Sequence, residues 1–299
     1  HPPTLVTNNA PLAFSKFMDF VFGEVYGLTT VSSYGTNDYD IASKYIVQDA
    51  ALRKFITGWT LWLSDKGEYM PTPADVRRGI YTTLASGGNG ISLFMGEYHP
   101  PRWMKSDETL PLVYAFLATE SVVEPFDIES PLLKEIGAVG EYIIPFGKLL
   151  VGSHYHPKHP FTVSSCQFTH TINVPAAKLT LEEKEEPSIG LGVWQREGSY
   201  ILIAFNKDTQ NEQSGTIDFS GIKDQLATGK RRVYDGKTLE PLSFGANAGS
   251  ASGGSTSGGY TQSITLAPGD GRFFIVASDA DFAVLKDKID RSRYELVHQ

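Results

Sequence analysis

Three stretches of this sequence set aromatic rings beside carboxylates. Tyr34 opens a run that continues Gly35-Thr36-Asn37-Asp38-Tyr39-Asp40. Trp59 and Trp62 are followed by Ser64-Asp65-Lys66 and then Glu68-Tyr69, and Met95-Gly96 leads into Glu97-Tyr98-His99-Pro100-Pro101-Arg102-Trp103. A flat aromatic face stacks on the C–H face of a sugar ring while a nearby carboxylate accepts its hydroxyl protons, so the pairing suits carbohydrate better than an apolar ligand. Glu97 is the leading acid/base candidate, because it follows an apolar run immediately and has Tyr98, His99 and Trp103 around it to orient it or tune its proton affinity. Asp65 and Glu68 are the other candidate catalytic carboxylates. Tyr34, Asp38, Asp40, Trp59, Trp62, Tyr98, His99, Arg102 and Trp103 are the candidate substrate-binding residues. Competing structural roles exist: Asp38 and Asp40 flank Tyr39 in a turn-rich run where Asp serves as a turn acceptor, and one of Trp59 and Trp62 is expected to face a core.

Other chemistries find less support. His154, His156 and His159 form a cluster in HYHPKH, but no acid accompanies them, and a solvated loop is the stronger reading than a metal site. There is no Walker loop, no GxGxxG after the first strand and no GxSxG elbow; Gly87-Gly88-Asn89-Gly90 precedes a strand and reads as a helix stop. The one cysteine, Cys166, has no partner for a disulfide and no zinc spacing, and is expected to be a small buried hydrophobe. No cofactor or metal is expected.

The elements that must position these residues alternate in the first part of the chain. Strands are expected at residues 4–7, 28–34, 55–62 and 90–95. Helical spacing is found at 12–22 (Leu12, Phe14, Phe17, Met18, Val21), at 42–55, from Thr72 to about Gly87, at 108–118 and at 131–145. Thr72-Pro73-Ala74-Asp75 supplies an N-cap, a proline at N1 and an acid at N3. A strand recurring every ~30 residues, apolar almost throughout, is the βα unit of a parallel sheet buried on both faces. Each aromatic-carboxylate stretch then follows a strand, at the sheet edge where parallel α/β folds bind ligands.

From residue 148 onward the pattern becomes all-β: short runs at 149–151, 161–166, 189–195, 200–205, 215–219, 231–234, 262–266 and 272–277, separated by turns, indicate an antiparallel sandwich. Residues 245–259 read as a Gly/Ser-rich hairpin loop. The last 21 residues, 279–299, form an amphipathic helix with Phe282, Leu285 and Ile289 on one face.

The whole chain, 299 residues with 41% hydrophobic and 20% charged, has a globular composition. Its 26 Lys plus Arg against 34 Asp plus Glu leave a charge of -8, which argues against nucleic acid and anionic lipid as partners. No apolar run approaches the ~18 residues of a membrane helix. The start at His1-Pro2-Pro3 is expected to mark a processed or truncated product.

With those motifs in view, the first ~150 residues resemble the second half of a (β/α)8 glycoside hydrolase of the clan that includes β-galactosidases and cellulase-like enzymes. The resemblance rests on HPPTLVTNN, on PTPADVR opening a helix at Pro71 and on LASGGNGISLF closing the barrel. SPLLKEIGAVGEYIIPFGKLLVG is similar to the helical exit of such a barrel, and ITLAPGDGRFFIVAS to the last hairpin of the β-sandwich that follows it. It implies α/β plus all-β architecture: a partial (β/α)8 barrel of the last four βα units at 1–147, a β-sandwich at 148–278 and a helical extension at 279–299. It implies hydrolysis of oligo- or polysaccharide by two carboxylates, an extracellular or periplasmic location, and a complementary half-barrel upstream or on a separate chain, since closure takes eight units. In that family a Glu after the fourth strand is the acid/base and a Glu after the seventh is the nucleophile. Here the strand matching the seventh runs into Trp62-Leu63-Ser64-Asp65, with no Glu in place, and the fourth-strand position precedes His1. A catalytically inert carbohydrate-binding protein of the same architecture is therefore the alternative, and an open α/β sheet with a β interaction module and no carbohydrate function is the third.

Overall fold

The computed structural model describes residues 20–25, 56–62, 72–88, 90–94, 131–174, 180–244 and 259–297. It is a mixed α/β structure with one parallel sheet and several antiparallel ones. The parallel sheet has the order β1 (Phe20–Val25), β2 (Ile56–Trp62), β3 (Gly90–Phe94). Strands β2 and β3 fall where the apolar runs predict them, and the strands expected at 4–7 and 28–34 lie outside the described residues. Strand β1 is a correction, because residues 20–22 carry helical spacing yet are extended. The Phe20-Val21-Phe22 run has high β-propensity, and six residues of parallel pairing with β2 outweigh a periodicity that a short apolar run cannot settle.

Helix α1 (Pro73–Ala85) starts as expected. Thr72 and Asp75 form a capping box, with the Asp75 N–H donating to Thr72 Oγ1 at 3.2 Å and the Thr72 N–H to Asp75 Oδ2 at 2.8 Å. It ends at Gly87, whose φ of 98° only glycine adopts freely. Helix α2 (Pro131–Val151) runs past the proline at which a stop was expected, so residues 149–151 are helix and not strand. Pro145 removes one backbone hydrogen bond and costs ~3 kcal/mol. Phe146, Leu149 and Leu150 are all but fully buried beyond it, at about 1.5–3 kcal/mol each, and the burial wins. The boundary set at 147/148 thus falls inside α2.

Two antiparallel sheets follow. The larger has the order β11 (Arg232–Asp235), β13 (Gly271–Ala277), β9 (Ser199–Asn206), β8 (Ile189–Arg196), β4 (His154–Tyr155). The smaller has β12 (Thr261–Leu266), β10 (Gln213–Asp218), β5 (Thr162–Ser165). A separate ribbon pairs β6 (Gln167–Val174) with β7 (Thr180–Pro187), register Gln167↔Pro187 to Val174↔Thr180. Thr180-Leu181-Glu182-Glu183-Lys184-Glu185-Glu186 lacks apolar alternation, so local pattern does not announce this ribbon; a buried Glu186 paired with Lys207 at 2.9 Å secures its base. Cys166, between β5 and β6, is exposed rather than buried. It sits at a strand junction where its carbonyl takes the Ser188 N–H at 2.9 Å, which fixes the backbone without enclosing the thiol.

The larger sheet is buried on both faces, and strand alternation sorts its side chains into two cores. Ile201, Ile203 and Phe205 of β9 with Phe273, Ile275 and Ala277 of β13 join residues of α1, α2 and α4 (Asp279–Val297), the helix that follows the short α3 (Lys223–Ala227). Leu202, Ala204, Phe274 and Val276 join Ile217, Ile264 and Leu266 of the smaller sheet. Helix α4 buries Phe282, Leu285 and Ile289, the face read from its spacing. Phe146 of α2 stacks on Phe273 with centroids 4.3 Å apart at 8°. Gly192 of β8 lets α1 approach so closely that a Cβ there would stand 2.0 Å from the Ala85 carbonyl oxygen, and Trp194 Nε1 donates to the Leu84 carbonyl at 2.9 Å. Arg77 of α1 pairs with Glu135 of α2 at 2.8 Å and donates twice to the Pro268 carbonyl. Phe146→Ala is expected to destabilise the fold by about 3–5 kcal/mol by opening a cavity between α2 and β13; chemical denaturation measures this, and a loss under 1 kcal/mol would contradict the packing.

Candidate functional site

The carboxyl ends of β1, β2 and β3 lie at one edge because the three strands are parallel and nearly in step. Val25 is opposite Leu61, Leu61 opposite Leu93, and Trp62 opposite Phe94. The in-register rows are apolar or contain glycine and single hydroxyls, with one exception: Glu24, Thr60 and Ser92 form a row polar on all three strands, one step in from that edge. Neighbouring strands stand ~4.8 Å apart, so the row spans ~10 Å of backbone. Glu24 is the one charged residue of these three strands.

Of the residues expected to form the site, Trp59 and Trp62 lie in β2, Trp59 in register with Gly23 and Ile91 and Trp62 with Phe94. Asp65, Glu68, Glu97, Tyr34, Asp38, Asp40, Tyr98, His99, Arg102 and Trp103 lie outside the described residues. In sequence, Asp65 stands three positions after the last residue of β2, and Glu97 three after the last residue of β3. Glu24 falls outside the helical spacing expected at 12–22 and inside β1, so a search of the residues that follow each strand does not reach it.

The polar clusters of the antiparallel region serve the fold. His154 is exposed in β4 opposite Gln195, whereas the His156 N–H donates to the Val193 carbonyl at 2.8 Å and its ring lies parallel to Tyr200. His159 lies against Phe161, so this segment borders the sheet and is not the freely solvated loop expected of it. Burial holds the His159 imidazole below its ordinary 6.5, a backbone bond to Phe161 opposes that and His156 adds to it. No group of three or more His, Cys, Asp or Glu among the described residues is arranged to hold a metal. Asp208 clamps the turn after β9. Burial pushes its carboxyl up, but bonds from the Asn211 side chain, the Gln210 N–H, the Gln213 side chain and the Asn211 N–H together hold it below its ordinary value. Among the described residues no helix is long and apolar enough to cross a membrane.

No family model and no curated protein matches the sequence. Solved structures with a partial likeness include a GH30 endoxylanase from Clostridium papyrosolvens (11% identity, TM-score 0.33, covering 91% of this chain and 51% of that one). An Anoxybacillus alpha-amylase (13%, 0.37, covering 87% and 52%) and a family 51 alpha-L-arabinofuranosidase from Bifidobacterium longum (16%, 0.32, covering 93% and 57%) are also similar in part. The chain spans about half the length of these structures. At these TM-scores the likeness is a loose one.

The lowered proton affinity of His159 carries a sign for stability. Unfolded, the ring takes up a proton near 6.5 that the folded ring refuses, so its contribution is fully present above that pH and is lost as the pH falls through the folded value. His159→Gln is expected to flatten the decline in unfolding free energy between pH 7 and 5, and an unchanged slope would contradict the assignment.

Proposed function

We propose that this chain is part of a glycoside hydrolase that cleaves O-glycosidic bonds of an oligo- or polysaccharide by carboxylate acid/base chemistry. It supplies the last βα units of a (β/α)8 barrel, followed by a β-sandwich and a helical extension. The observation that carries the reading is the common carboxyl edge of β1, β2 and β3, where β2 and β3 are each followed within a few residues by aromatic and carboxylate side chains. Three residues of extended chain reach no farther than about 10 Å, so Asp65 and Glu97 are tethered to neighbouring strand ends. Carboxyl separations of glycosidases, ~5 Å when configuration is retained and up to ~9.5 Å when it is inverted, fall within that reach. Trp59, Trp62, Tyr34, Tyr98 and Trp103 would form the sugar-stacking subsites, with Asp38, Asp40, His99 and Arg102 as polar contacts and Glu68 as the alternative carboxylate after β2. The remaining strands of a closed barrel come from polypeptide beyond these units, upstream or on a separate chain, and action on polysaccharide fits export to the periplasm or medium.

A second reading is an inert carbohydrate-binding protein, favoured by Asp65 standing where the resemblance calls for Glu. Release of reducing ends from a panel of plant and microbial polysaccharides, beside binding to the same glycans, separates the two. Hydrolysis is expected, with Glu97→Gln and Asp65→Asn each lowering kcat by at least 10²-fold. Binding without turnover selects the inert protein, and neither binding nor turnover overturns both.

A further inference from the structure

We propose that one end of the larger antiparallel sheet binds an anionic saccharide, gripping its carboxylate or sulfate group with Arg231 beside the ring of Tyr200. The site is separate from the carboxyl edge of the parallel sheet, and it rests on the glycosidase reading only for the saccharide character of the ligand. Directly paired residues of an antiparallel ladder point to the same face, and one such row runs from His154 of β4 through Gln195 of β8 to Tyr200 of β9. Two residues further along, the same face carries Val193, Leu202 and Phe274, each 1% exposed or less beneath the smaller sheet. That cover ends between the two rows, for His154 is exposed and Gln195 and Tyr200 are half-buried. His156 and Arg231 approach the same ring, the imidazole nearly parallel to it with centroids 6.2 Å apart and the guanidinium carbon 5.0 Å from its centroid. Beyond its part in the fold, this face groups an aromatic ring with an amide, two imidazoles and a guanidinium.

Arg231 is the residue that calls for an anion. Its Nη1 is buried without a hydrogen-bond partner. Arg77, Arg232, Arg272 and Arg291, by contrast, each pair with a carboxylate, and Arg196 donates to the Leu149 carbonyl. A guanidinium is charged at every working pH, and a buried donor on it left unmatched costs more than one on a neutral group. The Tyr200 ring attracts that charge but offers its N–H groups no oxygen. Arg231 is only half-buried, so an incoming oxygen can reach the group that the protein leaves unpaired. Its fork of donors matches the paired oxygens of a carboxylate or sulfate. Gln195 and His154 follow in the same row to meet sugar hydroxyls, and Tyr200 supplies ring surface for sugar C–H groups. The net charge of -8 repels a long polyanion, so one anionic group held by close contact is the ligand chemistry that this face suits.

The test is calorimetric titration of the full chain, at one ionic strength, with digalacturonate, monosulfated galactobiose, unmodified galactobiose and inorganic sulfate. At least one of the two anionic disaccharides is expected to bind about tenfold or more tightly than galactobiose and inorganic sulfate, and the comparison between them tells carboxylate from sulfate. Arg231→Gln is expected to weaken that binding about tenfold or more with its unfolding midpoint unchanged, and Gln195→Ala, which leaves Arg231 in place, to weaken it about threefold. Should Arg231→Gln fail to fold, Gln195→Ala decides. Absence of binding by both anionic disaccharides overturns the proposal, as does an affinity that neither variant changes. Inorganic sulfate bound as tightly as the disaccharides marks an adventitious ion only and overturns it too. Binding is read without turnover, so a chain that binds an anionic disaccharide and hydrolyses no glycoside upholds this site and overturns the glycosidase reading alone.

Discussion

Burial of β9 and β13 on both faces is the constraint from which the rest of the described structure follows. These paired central strands present Ile201, Ile203, Phe205, Phe273, Ile275 and Ala277 to one side and Leu202, Ala204, Phe274 and Val276 to the other. An antiparallel sheet with one apolar face needs one cover, and a sheet with two needs a layer on each. The smaller sheet supplies the cover on one side. Helices α1, α2 and α4 supply it on the other, and the aromatic stack of Phe146 on Phe273 lies in that contact.

Helix α1 is where this constraint reaches the candidate site. It follows β2 and precedes β3 in the chain, touches both, and also packs against β8, β9 and β13. Its C-terminal end is held by the Trp194 indole and by the close approach that Gly192 permits, and its N-terminal turn is tied through Arg77 to α2 and to the turn before β13. The parallel sheet and the antiparallel layers therefore share a rigid element. The carboxyl edge at Val25, Trp62 and Phe94 is braced by the same packing that closes the larger sheet.

Legibility in the sequence followed the strength of local signals. Strands β2, β3, β8, β9 and β13, the capped start of α1 and the buried stripe of α4 were readable because their apolar spacing and end residues all agreed. Strand β1 and the end of α2 were not, because in each a local rule conflicted with a long-range one: pairing with β2 overrode helical spacing at residues 20–22, and burial of Phe146, Leu149 and Leu150 overrode the stop at Pro145. The β6–β7 ribbon, all charge and hydroxyl on β7, carried no apolar pattern to find. Of the site, the trailing segments after β2 and β3 were legible by composition. Glu24 stands inside β1, a strand that local spacing does not announce, and not after a strand end.

The sequence by itself determined the order of the chain, parallel α/β followed by antiparallel β and a terminal helix, because hydrophobic period and turn residues are local properties. It also determined which strand ends carry carboxylates and aromatic rings. Only the tertiary structure decided the register of β1 against β2 and β3, the row that Glu24 shares with Thr60 and Ser92, and the use of α1 as the layer common to both sheets. Register and layer sharing depend on partners distant in sequence, whose pairing and burial energies no local window contains.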